Sequence, residues 1–159
     1  MSEDTLSVQG KDLDLVEAEF VNIRNSTVRG VEGARIELQQ VAALSIDGEK
    51  VDVTQGASGM IRADEVSINQ SAAGIVMGGV AQMNFSIAPI AVAKDNIEMT
   101  RSAVGVAVAK DMQVKNSSAI IMVANRVEGN VTTLLNAKTA ILTGLAIGGV
   151  LGLVKLLKR

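Results

Sequence analysis

The stretch VDVTQGASGMIRADE (51–65), followed by VSINQSAAGIVMGGV (66–80), contains the pattern that decides the fold. Each segment opens with apolar and polar residues in alternation, as in Val51-Asp52-Val53-Thr54. A corner of small residues and a second short apolar run follow. Because alternation with a period of two is typical of a half-buried β-strand, each fifteen-residue segment predicts two or three short strands.

The same fifteen-residue pattern extends from Leu6 to Val131, with one inserted residue, Asn96. When positions are numbered from Leu6, the first and third are apolar throughout. Helical repeats need ~33–47 residues, so we predict an all-β fold, a single-stranded parallel β-solenoid of about eight fifteen-residue repeats. The sequence leaves open whether one repeat or two form each turn.

Two further columns of the repeat have a restricted composition. Position thirteen is always Ala or Gly, which predicts a crowded inner corner where a larger side chain would clash; its residues are Ala18, Gly33, Gly48, Ala63, Gly78, Ala93, Ala109 and Ala124. Position five is rich in amides, namely Asn25, Gln40, Gln55, Gln70 and Asn116. These amides indicate either a hydrogen-bonded ladder between turns or simply exposed turns.

The composition argues against several classes of function. The chain has no His and no Cys, so Ser-His-Asp and Cys-His catalysis and the usual zinc sites are excluded. We expect no catalytic residues, no cofactor and no metal. A net charge of −2 gives no indication of a nucleic-acid partner. With only two Phe and no Trp or Tyr, the core must consist of small aliphatic layers.

Positions ten and eleven are consecutive apolar positions. Neighbours in a strand point to opposite faces, so if Ile61 and Val76 point inward, their position-ten neighbours point outward. These neighbours predict an apolar stripe for self-association, formed by Met60, Ile75, Ile90, Val106 and Ile121. The alternative is a bulge that places both positions inside.

The repeat ends at Val131, which divides the chain into a tail (1–5), a solenoid (6–131) and a C-terminal hydrophobic α-helix (132–159) beginning near Thr132 or Thr133. Sixteen uncharged residues (139–154) predict a membrane anchor, and small residues for helix packing recur every four positions, at Ala140, Gly144, Gly148 and Gly152. Basic residues flank the segment: Lys138, Lys155, Lys158 and Arg159. The alternative is a helix in water that caps the solenoid or bundles with copies of itself.

In its rung pattern over 6–131, its apolar tail and its lack of catalytic residues, the chain resembles the bactofilins, polymer-forming bacterial cytoskeletal proteins. That resemblance implies a non-enzymatic, homopolymerising scaffold associated with a membrane.

We therefore expect a self-associating structural protein, anchored to membrane lipid by its C-terminal helix, whose main partner is a further copy of itself. The MSEDTLSVQG start has no secretory signal pattern, so the solenoid is expected on the cytoplasmic side. The alternative function is an adaptor that recruits a protein partner through the same apolar side.

Overall fold

The computed structural model describes residues 5–135, which form a parallel β-solenoid. Its strands are β1 (Thr5–Gln9), β2 (Asp12–Glu17), β3 (Phe20–Arg24), β4 (Thr27–Gln39), β5 (Ala42–Thr54), β6 (Ala57–Asn69), β7 (Ala72–Asn84), β8 (Ile87–Thr100), β9 (Ala103–Val108), β10 (Asp111–Val123) and β11 (Arg126–Leu135). The predicted solenoid class is confirmed.

One repeat forms one turn. Ile46 of β5 pairs with Ile61 of β6, which pairs with Val76 of β7, and each step is fifteen residues. Two repeats per turn would instead pair residues thirty apart. Because parallel strands are spaced by ~4.8 Å, eight turns make a rod roughly 40 Å long.

The extra residue of the sixth repeat lies at a corner and not at Asn96. Asn96 is in register with Val80 and with Asp111, so it occupies position fifteen. The irregularity falls between Gly78 and Val80, where Lys94 and Asp95 lie opposite the single residue Gly79. A bulge of this kind keeps the inward columns on both sides in register.

The last turn continues beyond the predicted end of the solenoid at 131. Thr132 and Thr133 belong to β11 and pair with Ser118 and Ala119 of β10. The expectation that either threonine begins a helix is therefore wrong, because both continue the β-ladder. Residues 136–159, including most of the predicted C-terminal helix, lie outside the described residues.

Six positions of each repeat point inward, in three pairs: one and three, six and eight, eleven and thirteen. The pairs define three sides of the solenoid, separated by corners at positions five, nine and fourteen. Position thirteen is the crowded inner corner that its composition predicted. A Cβ on Gly78 would lie 2.7 Å from the Ala63 carbonyl oxygen of the preceding turn, and Ala93 is buried.

Position five is a corner of the solenoid whose backbone favours Asn25 and Asn116 but not the three glutamines. Every residue there, from Gly10 to Asn116, has a positive φ between 48° and 64°, the left-handed region that Gly, Asn and Asp adopt most easily. A ladder is present as well, since Gln40 Nε2 donates to Gln55 Oε1 (3.4 Å) and Gln55 Nε2 donates to Gln70 Oε1 (3.2 Å). Both interpretations of this column are therefore correct.

A buried serine column follows that corner at position six, formed by Ser26, Ser71, Ser86, Ser102 and Ser117. The left-handed residue turns the chain out of the ladder, so the next N–H needs another acceptor. The serine of the following turn supplies it: Ser86 N–H donates to Ser102 Oγ (3.2 Å). Ser102 Oγ in turn donates to the carbonyl of Thr100 or Met83, both 3.0 Å away.

Candidate self-association surface

The stripe predicted at position ten is assembled in register by the solenoid. Met60 pairs with Ile75, Ile75 with Ile90, Ile90 with Val106, and Val106 with Ile121, one turn at a time. All five side chains retain solvent exposure, while the position-eleven neighbours Ile61, Val76 and Met122 are buried. The structure therefore excludes the alternative in which a bulge buries both positions.

The stripe is one part of a wider apolar surface that the sequence reasoning missed. On the same side, position twelve is charged in the first four turns, at Glu17, Glu32, Asp47 and Arg62, and apolar in the next four, at Met77, Val92, Val108 and Val123. The polarity changes between the fourth turn and the fifth. The sequence contains a sign of this change in polarity, because no charged residue lies between Glu65 and Lys94.

The neighbouring second side is also uncharged from its third turn onward. Its outward residues at positions seven and nine are Ala42, Leu44, Ala57, Gly59, Ala72, Gly74, Ile87, Pro89, Ala103, Gly105, Ser118 and Ile120. The largest are strongly exposed, Leu44 at 66%, Ile87 at 61% and Ile120 at 52%. Together with the stripe at position ten, from Met60 to Ile121, and with position twelve of turns five to eight, these residues form what we term the apolar surface.

Close approach of neighbouring turns explains the glycines at the corner between these two sides. A Cβ on Gly74 would lie 2.5 Å from the Gly59 carbonyl oxygen, and one on Gly105 would lie 2.4 Å from that of Pro89. No side chain protrudes from the corner at these glycines, and a shallow groove of ≈ 410 Å³ lies between Ile87 and Ile120. The position-ten side chains stand beside this low corner and are accessible from the side.

Charged and polar groups border the apolar surface. At its N-terminal end, Arg62 and Asp47 form an ion pair of 3.7 Å between turns, and Lys50 and Glu65 form one of 3.0 Å. The first side is polar along its length, at positions two and four. The described solenoid therefore has one polar side and two sides that are apolar over turns five to eight.

The other residues predicted to have a function lie outside the described residues. The helix-packing residues Ala140, Gly144, Gly148 and Gly152 and the basic residues Lys138, Lys155, Lys158 and Arg159 all lie beyond Leu135. Over residues 5–135 there is no helix with the length and apolarity needed to cross a bilayer. In the same range, no three carboxylates converge as a metal site would require.

Comparison with known proteins gives no match: no protein family, no curated protein and no solved structure is significantly similar to the chain. The β-solenoid class therefore rests on the register and burial described above, and no match supports the resemblance to the bactofilins beyond that class.

Proposed function

We propose that this protein is a non-enzymatic structural scaffold that self-associates through its apolar surface and is held at a membrane by residues 139–154. The observation that carries the proposal is the register of the position-ten stripe within an uncharged outer surface. Contiguous exposed apolar patches larger than a few hundred Å² mark interaction sites in soluble proteins.

The rigidity of the solenoid favours association through this surface. Its outward side chains are mounted on strands hydrogen-bonded on both sides, so little backbone freedom is lost when a partner packs against them. Val and Ile at positions ten and twelve have few rotamers, which lowers the entropic cost further. Burial of apolar area stabilises an assembly by about 25 cal/mol per Å². The polar residues that border the apolar surface restrict this stabilisation to one part of the solenoid.

The membrane part of the proposal is supported by the composition of the C-terminal segment. Residues 139–154 carry no charge, and a helix of sixteen residues would be ~24 Å long. Lys138 and Lys155 could extend the span by reaching the interface. The basic end would also favour an anionic leaflet on the cytoplasmic side.

The test compares two triple variants of the full-length chain in mild detergent. Met60→Lys, Ile75→Lys and Val106→Lys together place charges on the stripe, whereas the control places Ser67→Lys, Gln82→Lys and Gln113→Lys on the polar first side. We expect sedimentation velocity to show loss of the assembly in the first variant and its retention in the second. Circular dichroism checks that both remain folded.

An assembly that survives the three stripe lysines would show that the stripe is not the contact between copies. A wild-type chain that sediments as a monomer, yet binds a different protein through Met60, Ile75 and Val106, would favour the adaptor function.

A further inference from the structure

The exposed corner that borders the stripe, at position fourteen, has an antisymmetric charge pattern. Over turns three to seven it reads Glu49, Asp64, Gly79, Lys94 and Lys110. The four charged residues are exposed, and within residues 5–135 none of them forms an ion pair in the chain. The two turns before Gly79 therefore carry acidic residues at this position, and the two turns after it carry basic residues.

This column is unfavourable in a single copy. Glu49 and Asp64 lie on neighbouring turns, as do Lys94 and Lys110, and like charges at stacked positions repel. Elsewhere, by contrast, opposite charges meet between turns, as in Asp14–Arg29 at 3.4 Å and Glu98–Lys115 at 3.7 Å. A partner that presents the reversed column would convert the repulsion into attraction.

We propose that two copies pack side by side and antiparallel, through the third side of each solenoid, about a two-fold axis that crosses the rods at the level of Gly79. The inference rests on the proposed self-association and specifies its partner and orientation. A two-fold contact uses the same patch on both copies. The axis places Asp64 opposite Lys94 of the second copy, and Glu49 opposite Lys110.

At position twelve the same axis places Val92 opposite Arg62 and Val108 opposite Asp47. The charges of Arg62 and Asp47 are offset by their own ion pair of 3.7 Å between turns. At position ten the axis brings the apolar side chains of the stripe together. Ile75 and Met77, on the turn of Gly79, would face their own equivalents, while Met60 would face Ile90. This turn is the fifth of eight complete turns and a partial ninth, so the two rods overlap along nearly their whole length. Asp111 follows Lys110 at position fifteen, toward the polar first side, whereas Asp95 shares the corner bulge opposite Gly79 with Lys94.

A parallel pair would not relieve the column. Turns of equal number would lie side by side, so the acidic third and fourth turns would meet each other, as would the basic sixth and seventh. The charges of the described solenoid are divided in the same sense: within residues 5–135, eleven acidic and six basic residues precede Val66, and four acidic and five basic residues follow it. Antiparallel packing therefore brings the opposite halves together.

Charge exchange at the corner tests the orientation in the full-length chain. One variant carries Glu49→Lys and Asp64→Lys, a second carries Lys94→Glu and Lys110→Glu, and a third carries all four changes. Reversal in only one half converts every cross-pair into a repulsion. We expect the Kd for self-association to rise at least about ten-fold in each double variant, and to return to near the wild-type value in the fourfold variant.

A mixture of the two double variants should form mixed pairs, which isotope or tag labelling detects. Because the chain has no Cys, cross-linking gives a second measurement. Asp64→Cys chains should form disulfides with Lys94→Cys chains more readily than either forms with itself.

The outcomes separate this inference from the proposed function. If both double variants assemble as the wild type does, while lysines on the stripe still dissociate it, self-association stands and the antiparallel orientation is wrong. If the wild type is monomeric because its own C-terminal segment or a lipid covers the stripe, the proposed function fails, and the orientation fails with it.

Discussion

At the level of single residues, buried hydroxyl groups accept the N–H that follows five of the left-handed corners, whereas Val41 and Gly56 offer no hydroxyl to the corners at Asn25 and Gln40. The residue at position five leaves the ladder, and the N–H that follows would otherwise be unpaired inside the solenoid. Ser71, Ser86, Ser102 and Ser117 each accept such an N–H from the preceding turn. Since an unpaired buried donor costs ~1–3 kcal/mol, this column stabilises every turn that it joins.

Replacement of one of these serines should therefore destabilise the protein. Ser102→Ala leaves Ser86 N–H without its acceptor, and we expect the free energy of unfolding to fall by ~1–3 kcal/mol. Ser118→Ala, at an exposed position on the second side, serves as the matched control and should change stability by less than ~0.5 kcal/mol. Chemical denaturation measures both; equal effects would show that the buried hydroxyl is dispensable.

Position thirteen gives a second prediction at this scale. Ala93 is buried in the crowded inner corner, whereas the adjacent Lys94 is exposed. Ala93→Leu should overpack the solenoid and lower its stability by ~1–3 kcal/mol or more, while Lys94→Leu should be nearly neutral to folding. Thermal melting separates the two. If Ala93→Leu is tolerated as well as Lys94→Leu, the inner corner can expand.

At the level of elements, each turn is a unit that contacts only the turns before and after it. Strand pairing connects β4 to β5, β5 to β6 and β6 to β7, with the same side chains stacked fifteen residues apart. Stability in such an array is approximately a sum of terms for turns and for the interfaces between them. Whole turns should consequently be removable, whereas fractions of a turn should not.

Deletion of residues 51–65 tests this modularity. It removes one complete turn and joins Lys50 to Val66, so each following position keeps its column. We expect the shortened chain to keep a β-rich circular dichroism spectrum, with a lower melting temperature because one interface is lost. Deletion of 51–58 removes about half a turn and should prevent folding, since inward and outward columns then stack on each other. Folding of both would contradict a strict fifteen-residue turn.

At the level of the whole molecule, the two proposed contact regions are separate. The apolar surface lies along the described solenoid, and the small-residue pattern of 139–154 follows the solenoid in the sequence. In the proposed antiparallel pair, the C-terminal ends of the two described solenoids lie roughly 40 Å apart. If residues 139–154 of both copies reach one bilayer, as proposed, the rods lie along the membrane.

The tail therefore permits a prediction that separates anchoring from packing. Membrane partition depends on total apolar character, which Gly148→Leu slightly increases, whereas close helix packing depends on the absence of a side chain. We expect Gly148→Leu to stay in the membrane fraction while larger assemblies weaken, and deletion of 139–159 to release the solenoid. Sedimentation after membrane fractionation measures both.

Two results would count against this account of the tail. Full-length protein found in the soluble fraction without detergent would exclude the anchor and favour a helix that caps the solenoid or bundles in water. An unchanged assembly in Gly148→Leu would show that contacts between copies rest on the apolar surface alone.

The sequence by itself determined the period and the inward columns at positions one, three, eleven and thirteen, and it predicted the stripe with a bulge as the alternative. Periodic burial is a property of each turn, so Val51, Val53 and Ile61 already show which side chains point inward, and Met60 follows as an outward neighbour. The crowding at position thirteen was predictable for the same reason, because a crowded corner restricts the side chain to Ala or Gly in every repeat. The boundary at 131, the helix start at Thr132 or Thr133 and the placement of the extra residue at Asn96 were wrong.

Tertiary structure alone decided how the turns stack and what their stacking creates. Pairing of residues fifteen apart showed that one repeat forms one turn, and it extended β11 through Thr132 and Thr133. The role of Ser102 depends on an N–H in another turn, and the charge column from Glu49 to Lys110 spans five turns. Such features join residues far apart in sequence, and no local pattern reports them, because they exist only once the register between turns is set.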